Sequence, residues 1–369
     1  MPKIRHLRSG SVIAALLLAG PLPPARAQAP LTQASPPRAI LAEAEAIAPG
    51  GIDDLKTVTL GGVRQWIHVR GNDQANPVLL LLHGGPGSPL MGKSWIFQRS
   101  WEDYFTVVEW DQRGAGKSFL PAGQQQPTLE QITRDTEQLI DWLRATYHKK
   151  KIFLMAHSFG SVIGVRVAQH RPDALYAYIG VGQVVNARAN EAIGYQETLA
   201  KARETGNQAA IRALQSIAPY PGTEVTPHFL AKVAIERNWD VALGGMRYGR
   251  TTDPEAAFWS LSPDYTPQDV RAAVLGERLL PIALAAQVMA VDFDRITAFK
   301  CPVFLFAGAS DRTTPVVLAR NFLAHVRAPM KAFFEIPRAS HDVMLDAQGV
   351  MLVDLVTEIR PLAKSHGGN

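Results

Sequence analysis

Three residues from separate parts of the chain have the types that a hydrolytic site needs: Ser158 in "AHSFG", Asp311 in "GASDRTTP" and His341 in "RASHD". A serine hydroxyl is a poor nucleophile until a base takes its proton, and the base needs a third group to hold its tautomer. Before Ser158, the apolar run Ile152 to Met155 reads as a buried strand; after it, Val162, Val165 and Ala168 recur at helical spacing. A strand that becomes a helix within one residue turns sharply. Such a turn lifts the hydroxyl above the sheet edge and aims the first helical N–H groups toward it. The small residues that relieve the crowding are Ala156, two before the serine, and Gly160, two after it.

In open sheets of this kind, ligands bind beyond the carboxyl ends of the strands, so the partners of Ser158 are expected in loops that follow strands. Asp311 follows "VFLFAGAS" and His341 follows "AFFEIPRAS", in the chain order serine, acid, histidine. Of the ten histidines, only His341 combines a late position with such a loop. His325 falls near a helix end, while His83 and His157 lie beside the site and shape it. Asp342 and Asp346 are read as carboxylates at a helix N-terminus, and Asp111 as the organiser of its own turn. Donors for a developing oxyanion are expected from the loop "HGGPG", His83 to Gly87, after the strand Val78 to Leu82. The backbone N–H groups assigned are those of Gly85 and Phe159, with Gly84 as the alternative to Gly85.

The elements that position these residues are regular. "TVTLGGVRQWIHV" reads as a hairpin, "PVLLLLHGG" and "FTVVEWDQRGAG" as strands with Gly-rich loops, and a helix follows, with Thr128 and Gln131 as a capping box. "LYAYIGVG" is a further strand. Alternating strands and helices imply an α/β fold, a mostly parallel central sheet with helices on both faces. From Asn186 to Thr297 strand-like runs nearly vanish, which implies an inserted helical cap. The expected divisions are a signal peptide over 1–27, a linker over 28–51, core over 52–185, cap over 186–297 and core again over 298–369.

Lys3, Arg5 and Arg8, the apolar run from Val12 and "ARA" at Ala25 to Ala27 make the first 27 residues an export signal, so a periplasmic or extracellular location is expected. Its removal takes four cations and no acids, so the formal net charge falls from +5 to +1. No basic tract suited to nucleic acid remains, and stable membrane insertion is not expected after removal. Cys301 is the only cysteine, which excludes an intramolecular disulfide; it reads as a small buried hydrophobe. Paired-cysteine and His-x-x-x-His spacings are absent, so no metal or other cofactor is expected.

Taken in order, "HGGPGSP", "DQRGAGKS", "AHSFGS", "GASDRTTP" and "SHD" resemble the alpha/beta-hydrolase superfamily, and within it the proline iminopeptidase branch, from about Leu55 to the C-terminus. The resemblance implies Ser158 as nucleophile, Asp311 as orienting acid and His341 as base. It also implies release of an N-terminal residue whose free amine is held by cap carboxylates. The cap has "IERNWDVALGG" where that branch has a tryptophan-rich motif ending in glutamate, and Phe159 stands where tryptophan is usual. Glu191, Glu197, Glu204, Glu236 and Asp240 are the cap carboxylates considered. Most read as solvated, and Glu191 and Glu236 are the two assigned to the amine.

The expected activity is a serine hydrolase acting through an acyl-enzyme on short peptides or amino-acid amides. Alternatives are an exported esterase or amidase for small molecules and, more remotely, a non-catalytic hydrolase-like binding protein. Epoxide and haloalkane chemistry would need a carboxylate where Ser158 stands.

Overall fold

The computed structural model describes residues 36–121 and 124–363. The expected signal peptide, 1–27, lies outside the described residues, as does the linker up to residue 35. From residue 36 the chain packs on the body: α1 (Pro36–Ala44) anchors there through Arg38, which donates to the carbonyl oxygens of Pro263 and Tyr265, and Glu45 is buried beyond it.

Eight strands form one sheet. They are β1 (Ile52–Leu60), β2 (Val63–Gly71), β3 (Val78–Leu82), β4 (Thr106–Trp110), β5 (Ile152–His157), β6 (Leu175–Val181), β7 (Val303–Gly308) and β8 (Lys331–Ile336), in the order β1-β2-β4-β3-β5-β6-β7-β8. β1 and β2 form an antiparallel hairpin, and β2 meets β4 antiparallel; every pairing from β4 to β8 is parallel. The hairpin turns on Gly61 and Gly62, whose φ values of 51° and 76° favour glycine. The fold is the mostly parallel α/β sheet expected from the sequence.

Side chains alternate across the sheet with the strand period of two. Leu80, Leu154 and Leu305 face one way, into a core closed by α2 (Leu129–Thr146), α3 (Phe159–His170) and later α9 (Val316–His325). Leu79, Phe153 and Phe304 face the other way, onto a core that includes Trp101, Met344 and Leu355. In α2 the expected apolar face, Leu129, Ile132, Leu139, Ile140 and Leu143, is buried. Its capping box is half formed: Thr128 accepts from the Gln131 N–H at 3.1 Å, but the Gln131 side chain turns to Asp135 instead, at 2.7 Å.

Between β6 and β7 the chain forms α4 (Ala187–Glu204), α5 (Gln208–Ser216), α6 (Pro227–Ala242), α7 (Glu255–Leu261) and α8 (Pro267–Met289). After β8, the terminal helix expected from Val343 is broken into α10 (Val343–Asp346), α11 (Gln348–Asp354) and a final π and 3-10 turn. Ala347, non-helical at φ −140°, ψ 40°, interrupts it.

Candidate active site

Every site residue expected from sequence lies past the carboxyl end of a parallel strand or on the inserted helices. Ser158 directly follows β5 and holds φ 53°, ψ −124°, a backbone conformation that non-glycine residues rarely adopt. The strain is held in place by the Ser158 N–H, which donates to the Val181 carbonyl at 2.9 Å, and by α3, which starts at the next residue. Gly160 is the first condition for this turn. A Cβ there would collide with the Leu82 carbonyl and lie 2.7 Å from that of His83.

Gly164 is the second condition, and it explains how Ala156 is tolerated. A Cβ at Gly164 would sit 2.8 Å from the Ala156 methyl and 2.5 Å from the Tyr178 ring, so the glycine one turn along α3 makes room for the alanine before the serine. Gly164→Ala is expected to cost about 1 to 3 kcal/mol by overpacking. Adding Ala156→Gly should return part of it, as read by denaturant unfolding of the two single variants and the double.

His341 and Asp311 meet Ser158 at hydrogen-bonding distance. His341 Nε2 is 2.8 Å from Ser158 Oγ, and its Nδ1 is 3.0 Å from Asp311 Oδ2. A carboxylate only accepts, so Nδ1 carries the proton and Nε2 is left to accept from the serine hydroxyl. Asp311 is itself fixed: its Oδ1 accepts from the Thr314 N–H at 2.8 Å and its Oδ2 from Thr314 Oγ1 at 2.7 Å. Burial alone would lower the His341 pKa, but the Asp311 charge and hydrogen bond outweigh it and raise the value above that of an ordinary histidine.

The glycine loop closes the other side. A Cβ at Gly84 would lie 2.9 Å from that of Ser158, and φ at Gly85 is 103°. The N–H groups of Gly84, Gly85 and Phe159 have no acceptor among the described residues, which leaves them free to serve an oxyanion. His83 holds the loop's start. Its Nδ1 donates to the Gly84 carbonyl at 2.9 Å, its Nε2 accepts from the Gln112 N–H at 3.2 Å, and Gln112 Nε2 donates to the His83 carbonyl at 3.0 Å. This exchange is why "HGGPG" and "DQRGAG" work as a pair. Burial pushes both His83 and His157 down to about 4, so both are neutral fixtures and not bases. Asp111 organises its turn by accepting from the Lys117 N–H at 2.7 Å, and also takes the Tyr265 hydroxyl at 2.6 Å.

Other carboxylates differ from their sequence reading. Asp346 closes α10 instead of opening it, and binds Arg247 Nε at 2.9 Å, the Tyr248 N–H at 2.8 Å and the Ser340 N–H at 3.0 Å. Asp342 does stand at the N-cap of α10, as expected, but its carboxylate makes no capping bond; it is buried, 3.6 Å from His157 Nε2. Glu191, Glu236 and Asp240 are buried, not solvated. Glu191 and Glu236 are brought together, but around Arg237, whose guanidinium pairs with both. Glu191 also takes the Tyr220 hydroxyl, and Glu236 takes Thr198 Oγ1 at 3.0 Å. The pair is therefore already compensated by a cation from α6.

A different acidic group borders the glycine loop, and the sequence reading missed it. Carboxylate oxygens of Asp253, Glu255 and Asp342 lie within 4.8 Å of one another. Lys93 pairs with Glu255, whose other oxygen accepts from Ser88 Oγ at 3.1 Å. Glu277 approaches from α8, where a Cβ on Gly87 would lie 3.1 Å from the Glu277 nitrogen. Neither the Glu277 nor the Asp253 carboxylate accepts a hydrogen bond among the described residues, and one buried Asp253 oxygen is unsatisfied. Burial and then Glu255 push the Glu277 carboxyl up to about 7; burial, Glu255 and Asp342 do the same for Asp253. The signal available for Glu277 was its isolation within "AAVLGERLLPIALAA", an otherwise apolar stretch broken only by its neighbour Arg278.

A family model for the alpha/beta hydrolase fold matches residues 77–348. A probable aminopeptidase, YbaC of Bacillus subtilis, is 29% identical over 291 residues, which is 78% of this chain and 90% of that protein. A proline iminopeptidase of Lactobacillus helveticus is 22% identical over 266 residues, 69% of this chain and 81% of that one. Among solved structures, the proline iminopeptidase of Mycobacterium smegmatis superposes with a TM-score of 0.60 at 18% identity, covering 85% of this chain and all of the other. With the sheet order, the strained turn at Ser158 and the match over most of its length, the chain belongs to the alpha/beta hydrolase fold family.

Proposed function

We propose that this chain is an exported serine hydrolase of the aminopeptidase type, releasing N-terminal residues from short peptides or amino-acid amides. His341 Nε2 takes the Ser158 proton as Oγ attacks the carbonyl carbon. The oxyanion is held by the Phe159 N–H and by that of Gly85, with Gly84 as the alternative. The tetrahedral intermediate collapses as His341 returns the proton to the leaving amine, and Ser158 is left acylated. His341 then deprotonates a water that attacks the acyl carbon, and Ser158 is released with its proton restored.

The observation that carries the aminopeptidase reading is the acidic wall beside the glycine loop. Glu277 and Asp253 are partly buried, their carboxylates accept no hydrogen bond among the described residues, and both feel Glu255, which Lys93 pairs, while Asp253 also lies beside Asp342. An ammonium placed there gives these carboxylates the counter-charge they lack. This shifts the proposed amine site from Glu191 and Glu236, which Arg237 already occupies, to the wall.

The test compares kcat/KM on prolyl-p-nitroanilide and its N-acetylated form. A preference for the free amine of about 10- to 100-fold is expected, with Glu277→Gln reducing it while leaving the acetylated substrate unaffected. Hydrolysis of p-nitrophenyl acetate with neither anilide cleaved would instead assign the site to small esters.

A further inference from the structure

The C-terminal end of α6 is bonded to both loops that complete the Ser158 site. Asp240, fully buried, accepts from Thr313 Oγ1 at 2.7 Å and from Arg312 Nε at 3.0 Å, the two residues directly after Asp311. Arg312 Nη2 also donates to the Leu243 carbonyl at 2.9 Å. From α4, Asn190 Nδ2 donates to the Thr313 carbonyl at 2.6 Å. The loop that carries Asp311 is thus held from the inserted helices by side chain and backbone together.

The turn that follows α6 holds the other loop. The Gly245 N–H donates to the Asp240 carbonyl at 2.8 Å, and a Cβ at Gly245 would overlap the Asp240 carboxylate. Its own carbonyl accepts from the His341 N–H at 3.1 Å, and the Met246 carbonyl accepts from the Asp342 N–H at 3.0 Å. The Gly244 carbonyl takes Ser340 Oγ at 2.7 Å. One buried carboxylate therefore sits between the loop 311–314 and the turn that grips 340–342. A catalytic hydrogen bond such as Asp311 to His341 tolerates only about 0.5 Å of misplacement, so the relative position of these loops matters to the chemistry.

We propose that Asp240 is a positioning residue for the triad: it fixes the Asp311 loop against the His341 loop, making the end of α6 a permanent part of the site and not a detachable lid. The proposal rests on the reading of Ser158, Asp311 and His341 as a catalytic triad. Asp240 touches no reacting atom; it acts through Thr313, Arg312 and the Gly245 turn.

Asp240→Asn keeps the shape but faces Arg312 or Thr313 with an amide donor. Thr313→Val removes only the hydroxyl on the far side of the same bond and tests the link should Asp240→Asn fail to fold; Thr313→Ser restores that hydroxyl. The readouts are the rate of Ser158 phosphonylation by a fluorophosphonate, kcat and KM on p-nitrophenyl acetate, and the pH of the acid limb of kcat/KM. Asp240→Asn and Thr313→Val are expected to lower kcat and phosphonylation about 10- to 100-fold with KM little changed, and Thr313→Ser to stay near the native rate.

The charged and titratable groups around His341 are Asp311, Asp342, Arg237 and His157. Loosening Asp311 weakens the largest influence that raises the His341 pKa, so the acid limb should move to lower pH in both slow variants. Cooperatively folded variants with native rates, or slow variants whose acid limb stays in place, would overturn the proposal. Failure of the native protein itself to be phosphonylated would instead sink the triad reading beneath it.

Discussion

Ser158→Ala is expected to lower kcat by about 10⁴- to 10⁶-fold while KM changes little. The hydroxyl is the only nucleophile within 2.8 Å of His341 Nε2 among the described residues, and no neighbouring side chain can take its place. Ser161, one turn on, donates its own hydroxyl to the Ser158 carbonyl at 2.6 Å and accepts from the Val184 N–H at 2.9 Å, so it is committed to the turn. The fold should survive the change, because the Ser158 side chain makes no capping bond to α3. Steady-state turnover of p-nitrophenyl acetate by the variant measures the loss; a variant that retains more than a small fraction of native turnover contradicts the mechanism.

Asp311→Asn is expected to cost about 10⁴-fold in kcat with little change in unfolding free energy. Asp311 Oδ2 faces His341 Nδ1 at 3.0 Å while also accepting from Thr314 Oγ1. An asparagine that keeps Oδ1 as acceptor for the Thr314 N–H presents its amide donor to Nδ1. The imidazole then carries its proton on Nε2, facing the serine hydroxyl it should deprotonate. The electrostatic consequence has a definite sign: without the carboxylate, the largest of the forces that raise the His341 pKa is gone and only Asp342 remains, so any residual activity should show its acid limb at lower pH than the native protein. A variant with native kcat, or one with an unmoved limb, would count against this arrangement.

What the sequence made legible was local. The strand-to-helix turn at Ser158 is written in an apolar run, a serine and the residues around it, and Asp311 and His341 each follow a strand through a short loop. Sheet register then brings the ends of β5, β7 and β8 to one edge without further information. What it left illegible depends on which helix faces which. Glu236 and Arg237 are neighbours in the chain, but nothing in their spacing says that Arg237 also reaches Glu191 across α4 and α6 and so removes the pair from use. Glu277 gains its meaning only when α8 packs against Gly87, and Asp253 only when its loop meets Asp342. The break of the terminal helix at Ala347 is marked only by Gly349 two residues on, and no proline fixes it.

The role of Ser158 is tested most directly by covalent trapping of the native protein with a fluorophosphonate, followed by mass spectrometry of the intact chain and its peptides. One phosphonyl group per chain is expected, located on Ser158, with complete loss of turnover in proportion to labelling. Stoichiometric labelling at another residue, or full activity after reaction, would contradict it.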